Sequence, residues 1–145
     1  AEIVAQIISN HLKTRSMLRQ MCIRDSDMTP LRNWWKEDPE KTQRYYNHVL
    51  QRIGEAPDEC TAEIVAQIIS NHLKTRSMLT IIPLQDWFAM DDSIKRKDIE
   101  SERINVPANS THYWRYRMHI TLEQLLQADN LNNKIVSLIK EAGRK

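Results

Sequence analysis

Residues 1 to 18 of this 145-residue chain, Ala1 through Leu18, are repeated without a single change at residues 62 to 79. Repeat architectures normally stack three or more units that have diverged from one another, and this chain has two identical units of helical length. The duplication therefore does not predict a solenoid. Because it has accumulated no substitution, it predicts instead that one copy has been spliced out of place.

The segment after the first copy supports this interpretation. Residues 20 to 26 read Gln20-Met21-Cys22-Ile23-Arg24-Asp25-Ser26 and resemble the translated transposon-end adapter used to prepare sequencing libraries. We therefore divide the chain into a duplicated copy at 1–18, interpreted as an artefact, an adapter-like junction at 19–26, and natural protein at 27–145. Identical helices could alternatively pair or exchange between chains, so a self-associating helical interaction module is the second hypothesis.

Composition narrows the functional class. With 41% apolar and 28% charged residues the chain is of ordinary globular composition, and a net charge of +2 gives no basic excess for a nucleic-acid surface. Trp114-Arg115-Tyr116-Arg117 could stack on bases and contact phosphates, but the surrounding acids argue against it. The cysteines, Cys22 and Cys60, form no disulfide framework, and no apolar run is long enough for a membrane helix. We expect a soluble cytoplasmic protein without nucleic-acid or membrane partners.

Two helices are predicted in the first half of the natural region. Asp38 can cap a helix that has Pro39 at its first position and ends at Gly54. Its apolar residues at helical spacing are Tyr45, Tyr46, Val49, Leu50 and Ile53. Thr61 can cap a second helix with one apolar face. That face consists of Ile64, Val65, Ile68, Ile69 and Leu73.

The second half predicts a strand followed by a charged loop and a helical end. The run 78–82 is apolar and partly β-branched, which is typical of a parallel strand buried on both faces. Residues 91–102 are charged and carry no apolar period, which predicts a loop or a solvated turn of helix. Thr121 and Gln124 can form the capping box of a last helical region, interrupted near Asp129 and ended by Gly143. The predicted fold is mainly α with a short parallel-type strand.

Four strings of residues combine carboxylates, amides and tryptophans. They are 27–35, 83–87, 103–107 and 112–117. Sugars present hydroxyls that pair with such polar groups and apolar ring faces that stack on aromatic side chains, so carbohydrate binding is one interpretation. The alternative is that Trp34, Trp35, Trp87 and Trp114 serve core or lid packing.

These strings carry a family resemblance. Asp27, Thr29, Arg32, Trp34 and Trp35 match a pattern of the 4-alpha-glucanotransferases, also called amylomaltases or disproportionating enzymes. The Pro-Leu-Gln-Asp string at 83–86 and the Tyr-Trp-Arg-Tyr-Arg string at 113–117 occur whole. From residue 27 onward the chain is most similar to the longer branch of the family, which has bacterial and plant cytosolic members. The resemblance implies that the chain is a C-terminal fragment, the last βα units, of a (β/α)8 barrel.

The resemblance also implies a reaction. The family transfers segments of alpha-1,4-glucans and maltooligosaccharides, in the metabolism of starch, glycogen and maltose, through a retaining double displacement that needs a carboxylate nucleophile and a carboxylic acid/base. By motif, Asp27 is a third carboxylate that stabilises the transition state, and the family's preceding His is replaced by Ser26. The nucleophile and the acid/base match no motif here, so we expect the chain alone to be inactive.

Three further residues are expected to contact the sugar, namely Asn105, Arg32 and Trp34. For Asp27 the alternative role is a helix N-cap or a surface loop, and for Asn105 it is a turn. Gln85 and Asp86 are expected to orient neighbouring loops, and the adjacent acids Asp91 and Asp92 to lie in a solvated loop.

No cofactor or metal is expected. His112 and His119 lack the close spacing of a zinc motif, and no further ligand completes a set. Gly54 and Gly143 are the chain's two glycines, too few for a phosphate-binding loop.

Overall fold

The computed structural model describes residues 21–23, 29–106, 111 and 116–144, and within these ranges the chain is mainly helical. The first copy of the duplication, Asp27 and Trp114 lie outside them. In chain order the described elements are β1 (Met21–Ile23), α1 (Leu31–Glu37), α2 (Pro39–His48), α3 (Ala62–Leu73), β2 (Leu79–Ile81), α4 (Leu84–Phe88), a 3-10 turn (Glu100–Glu102), α5 (Leu122–Leu126) and α6 (Asp129–Glu141). The predicted mainly α character with a short parallel strand is confirmed.

Helix α2 begins as predicted and ends early. The Lys41 N–H donates to Asp38 Oδ1 at 3.1 Å, and Pro39 occupies the first turn. The prediction that the helix continues to Gly54 is wrong, because it ends at His48 and the backbone turns left-handed at Gln51, with φ 55°. Ile53, assigned to the apolar face of this helix, is 99% exposed.

Helix α3 lies at the centre of the core and confirms its prediction in detail. The Ile64 N–H donates to Thr61 Oγ1 at 3.3 Å, which caps the first turn. All five members of the predicted apolar face are buried: Ile64, Val65, Ile68, Ile69 and Leu73. They share the core with residues from α1, α2, α4 and α6, including Leu31, Trp35, Tyr45, Phe88, Met90 and Leu131.

The strand predicted at 78–82 forms as β2, and it pairs in parallel with β1, which was not predicted. Met21 lies opposite Leu79 and Ile23 opposite Ile81. The prediction that β2 is buried on both faces is wrong. Leu79 and Ile81 are 46% and 47% exposed, because a sheet of two described strands leaves one face without a covering layer.

The C-terminal region folds as predicted. The Gln124 N–H donates to Thr121 Oγ1 at 3.2 Å, while the Thr121 N–H donates to Gln124 Oε1 at 2.8 Å, so the capping box is complete. The interruption near Asp129 separates α5 from α6, and Gly143 ends α6 with φ 67°. The Arg144 guanidinium donates to the backbone carbonyls of Leu73, Thr75 and Ser77, at and after the C-terminal end of α3. These bonds hold the end of α6 against that helix.

The segment between α4 and α5 is less solvated than predicted. Its residues 91–102 are mostly irregular, as expected, but Asp91 and Glu102 are 4% and 2% exposed. Both carboxylates have hydrogen-bond donors from elsewhere in the chain, a condition that buried carboxylates require. None of the described helices has the length and apolar character needed to cross a bilayer.

Candidate functional site

Two of the four strings singled out in the sequence, 27–35 and 83–87, meet at the amino end of α1. This helix begins after Pro30, whose ring leaves it without a side-chain cap. The missing acceptor is supplied by Asp86, because the Leu31 N–H donates to Asp86 Oδ1 at 2.8 Å across 55 residues of sequence. Asp86 is 1% exposed, so this bond is buried. Helix α4 thereby fixes where α1 begins.

A buried ion pair extends this contact to Glu102, the residue that precedes the third string. Arg32 Nη1 donates to Glu102 Oε1 at 3.1 Å and to the Arg96 carbonyl at 2.7 Å. The side chains of Arg32 and Glu102 are 7% and 2% exposed. Gln85 Nε2 donates to the Glu102 carbonyl at 3.1 Å, so α4 holds the main chain of the same residue. Gln85 and Asp86 thus orient neighbouring segments, as expected.

The carboxyl group of Glu102 is strongly perturbed by its surroundings. Burial raises its pKa to about 7, and the attraction of Arg32 only partly offsets that effect. Glu102 Oε2 is buried and has no hydrogen-bond partner among the described residues. Near neutral pH the group therefore populates both its protonated and its ionised form.

The side chains of α1 form further bonds to the segment that precedes Asn105. Asn33 Nδ2 donates to Glu100 Oε1 at 3.0 Å, and Arg103 Nη2 donates to Glu37 Oε1 at 3.1 Å. Asn105 itself is half-buried. It lies three residues beyond the buried ion pair, so α1 sets the position of the loop that carries it.

Arg96 connects the cluster to the fourth string. Its Nη2 donates to the Arg117 carbonyl at 2.5 Å, and its guanidinium lies 5.5 Å from the centre of the Tyr116 ring. Burial raises the pKa of the Tyr116 hydroxyl above its ordinary value, which keeps the ring neutral at physiological pH. The rest of this string, residues 112–115, lies outside the described residues.

The predicted sugar-contacting residues have different environments. Arg32 is buried and engaged by protein groups, and Trp34 is half-buried, with its ring edge-on to Tyr45 at 5.1 Å. Trp35 is 2% exposed and its Nε1 donates to the Pro57 carbonyl at 2.8 Å, so for this tryptophan core packing is confirmed. The structure brings Arg32 beside the segment that leads into Asn105, whereas Trp34 packs against Tyr45 of α2.

The acidic pair at 91–92 has a structural role. Asp91 Oδ1 accepts from the Ser93 N–H at 2.9 Å, and Asp91 Oδ2 accepts from Asn130 Nδ2 at 2.7 Å. Burial opposes ionisation of Asp91, but these hydrogen bonds outweigh it and lower the pKa. The expectation of a solvated loop is wrong for Asp91 and right for Asp92, which is exposed. No group of three metal-ligating side chains occurs in the part of the chain that the structure describes.

Two members of the cluster were missed by sequence reasoning. Arg96 and Glu102 lie in a charged stretch without apolar period, which is also the pattern of a solvated loop. Their burial depends on partners far along the chain, since Arg32 and Glu102 are separated by 70 residues. The available signal was the position of Glu102 beside the string that begins at Arg103.

Comparison with known proteins identifies relatives of this chain. Residues 2–123 match the family model of the 4-alpha-glucanotransferases. The chain is 38% identical over 118 residues to the 4-alpha-glucanotransferase DPE2 of Oryza sativa subsp. japonica, covering 81% of this chain and 12% of the rice protein. It is 29% identical over 115 residues to a 4-alpha-glucanotransferase of Chlamydia trachomatis, covering 77% of this chain and 21% of that protein. A Chlamydia caviae 4-alpha-glucanotransferase is 28% identical over 119 residues, with coverages of 81% and 21%. No solved structure matches the chain.

Proposed function

This chain belongs to the 4-alpha-glucanotransferase family, and on that premise we propose that it is a C-terminal part of the catalytic domain of an enzyme that transfers alpha-1,4-glucan segments. It spans about an eighth of the rice relative and a fifth of the chlamydial ones. In this proposal its substrates are alpha-1,4-glucans and maltooligosaccharides. The chain supplies side chains that grip the sugar.

The proposed chemistry is a retaining double displacement. A carboxylate nucleophile and a carboxylic acid/base flank the scissile bond, and both must lie within a few ångströms of the anomeric carbon. We assign neither role to a residue of this chain. Asp27 is proposed as the carboxylate that stabilises the oxocarbenium-like transition state, with Arg32, Trp34 and Asn105 as the adjoining sugar contacts.

The observation that carries this proposal is that two of the family's strings, 27–35 and 83–86, meet in one buried cluster with Glu102, the residue that precedes the string at 103–107. The bonds of Leu31 to Asp86, of Arg32 to Glu102 and of Gln85 to Glu102 join segments 55, 70 and 17 residues apart. Binding sites need such support, because side chains that contact a ligand hold it well only where neighbouring groups fix their direction. A cluster that joins separate segments of the chain in this way is what a sugar site on barrel loops would require.

The exposed sheet supports the proposal that the chain is a barrel fragment. Strand β2 lies in the natural region and exposes the side chains of Leu79 and Ile81, whereas its described partner β1 lies in the adapter-like junction and is not a strand of the proposed barrel. A closed barrel would cover these side chains and pair both strand edges. We therefore expect the isolated chain to lack transferase activity.

Calorimetric titration of the purified 145-residue chain with maltoheptaose tests the binding function. We expect measurable binding that Asn105→Ala weakens by roughly tenfold, the loss expected for one or two hydrogen bonds to sugar hydroxyls. Asn133→Ala is the matched control, because Asn133 is an exposed amide on α6 and should leave the affinity unchanged. Absence of any binding in a folded chain would contradict the proposal.

Incubation with maltotriose tests the expected inactivity separately. The product analysis should show no longer or shorter maltooligosaccharides at any enzyme concentration. Disproportionation by the highly purified chain would show that a nucleophile and an acid/base are present after all.

Exposed leucines favour a second function, that of a self-associating helical module. Leu122 and Leu126 lie one turn apart on α5 and are 65% and 79% exposed, and Val136 on α6 is 47% exposed. Sedimentation at increasing protein concentration distinguishes the two functions. A dimer that Leu126→Gln dissociates, together with no affinity for maltoheptaose, would favour the interaction module.

A further inference from the structure

One face of α1 holds the segment that leads into Asn105. The helix contributes Arg32, Asn33 and Glu37, and these bond to Glu100, Glu102 and Arg103 in the facing segment. The three bonds differ in environment. The Glu100 and Glu37 side chains are 74% and 43% exposed, whereas that of Glu102 is 2% exposed. Exposed ion pairs are screened by water and salt and hold a loop weakly, so the buried bond dominates.

We propose that Glu102 is a positioning residue for Asn105, acting through its ion pair with Arg32, and that one proton at Glu102 controls how firmly the loop of residues 103–106 is held. The importance of Asn105 for sugar binding rests on the proposed function. The proton-linked hold on the loop is a property of the chain alone.

One oxygen of the Glu102 carboxyl group can accept this proton without breaking the bond to Arg32. Glu102 Oε1 is engaged by Arg32, while Oε2 is buried and has no hydrogen-bond partner among the residues that the structure describes. The Glu102 main chain is fixed separately by Gln85 at 3.1 Å. Protonation therefore changes the side-chain bond without first dislodging the backbone.

The charged and titratable groups that face Glu102 come from every neighbouring segment. Arg32 on α1 and Arg96 in the connecting loop favour its ionised form, and Asp86 on α4 disfavours it. Tyr116, in the segment before α5, is neutral at physiological pH. Burial prevails over the two cations, so the pKa of Glu102 is about 7.

The direction of the effect follows from the cost of the buried charge. Above pH 7 the ionised carboxylate keeps its charge-assisted hydrogen bond from Arg32, but its second oxygen is buried with no donor among the described residues, and the one bond does not recover the cost of burial. A movement of the loop that hydrates Glu102 relieves this cost, so the loop should open about fivefold more often in the ionised state. Sugar affinity at Asn105 should fall by about the same factor as the pH increases through 7.

NMR of the ligand-free chain between pH 5 and 9 tests the proton-linked hold. The backbone amides of 103–106 and the side-chain amide of Asn105 should shift with a midpoint of about 7, together with the Glu102 carboxyl carbon. The midpoint should persist in the control Glu100→Gln, which removes an exposed carboxylate from the same turn, and vanish from the amides in Glu102→Gln. Amides that do not titrate, or that titrate equally in Glu102→Gln, would overturn the proposal.

Arg32→Gln is the second variant and retains the titrating group. Loss of the nearest cation should move the midpoint of Glu102 and of the loop amides upward together. An unchanged midpoint would show that the ion pair does not govern the loop. This variant also decides the matter if Glu102→Gln fails to fold.

Titration of maltoheptaose at pH 6 and 8 connects the loop to sugar binding. We expect about fivefold higher affinity at pH 6 in the unaltered chain and equal affinities in Glu102→Gln. If the amide shifts of the loop follow the pH and the chain does not bind maltoheptaose, the proton-linked hold is supported and the proposed function is overturned. Sugar binding without titrating amides would support the proposed function and overturn the positioning role of Glu102.

Discussion

The cap that Asp86 provides to α1 should be among the most costly side-chain contacts to remove. Asp86→Ala leaves the buried Leu31 N–H, now 2.8 Å from Asp86 Oδ1, without an acceptor. A hydrogen bond to a charged group contributes about 1.5–3 kcal/mol, and burial without a partner adds to the loss. Because Asp86 also makes other interactions, we expect the free energy of unfolding to fall by about 3 kcal/mol or more.

Asp38→Ala is the matched control, because it removes a cap of the same chemistry at an exposed position. Asp38 accepts from the Lys41 N–H at 3.1 Å, and its loss should destabilise the chain clearly less than that of Asp86. Urea denaturation followed by tryptophan fluorescence measures both variants, since Trp35 is a buried residue of α1. If Asp86→Ala destabilises no more than Asp38→Ala, the contact does not anchor α1 and the reasoning fails. Asp86→Asn should lie between the two, because the amide keeps an acceptor and loses the charge.

Three further predictions use the same denaturation assay. Burial raises the pKa of Glu102 from 4.5 to about 7, so the stabilisation present below pH 4.5 should be lost as the pH rises through 7. Over this range the free energy of unfolding of the unaltered chain should fall by about 3 kcal/mol relative to that of Glu102→Gln. A difference between the two chains that does not change with pH would contradict this prediction. Arg144→Met should lower the free energy of unfolding by about 2–3 kcal/mol, because three carbonyls at and after the end of α3 lose their donor. Arg144→Lys should recover part of this loss. Equal destabilisation by the two variants would contradict the bonding role of Arg144. Ile68→Ala should lower the free energy of unfolding by about 2–5 kcal/mol. Ile7→Ala, the same change at the corresponding position of the first copy, should alter it by less than about 0.5 kcal/mol. Equal effects would contradict the expectation that the second copy contributes more to stability.

Three of the helices that the sequence predicted have a side-chain cap in their own first turn. Asp38, Thr61 and Thr121 each accept from a backbone N–H three residues later, and each of those helices begins where predicted. The helices that were missed, α1 and α4, begin after prolines and have no side-chain cap of their own. Helix α1 is capped by a residue on α4, so its start is a tertiary event that local periodicity cannot reveal.

The candidate site was predictable to the extent that its strings could be identified one by one. The residues that join the strings were not, because Glu102 and Arg96 lie among charges whose pattern also fits a solvated loop. What distinguishes Glu102 from its neighbour Glu100 is the approach of Arg32, which depends on the packing of α1 against α4. Burial of a charge is decided by such distant partners, and no local pattern in the chain encodes it.

The duplicated sequence also shows that local sequence does not determine how much a segment contributes to stability. Residues 1–18 and 62–79 have identical helix propensity, identical apolar spacing and the same first-turn acid. Yet the stabilisation of α3 comes from the surface it meets, formed by Leu31, Trp35, Phe88 and their neighbours, and not from its propensity alone. Within the described residues that surface is already filled by α3. A second copy can gain the same burial only by displacing α3 or by meeting the same surface on another chain, so equal sequences are not expected to contribute equally to stability.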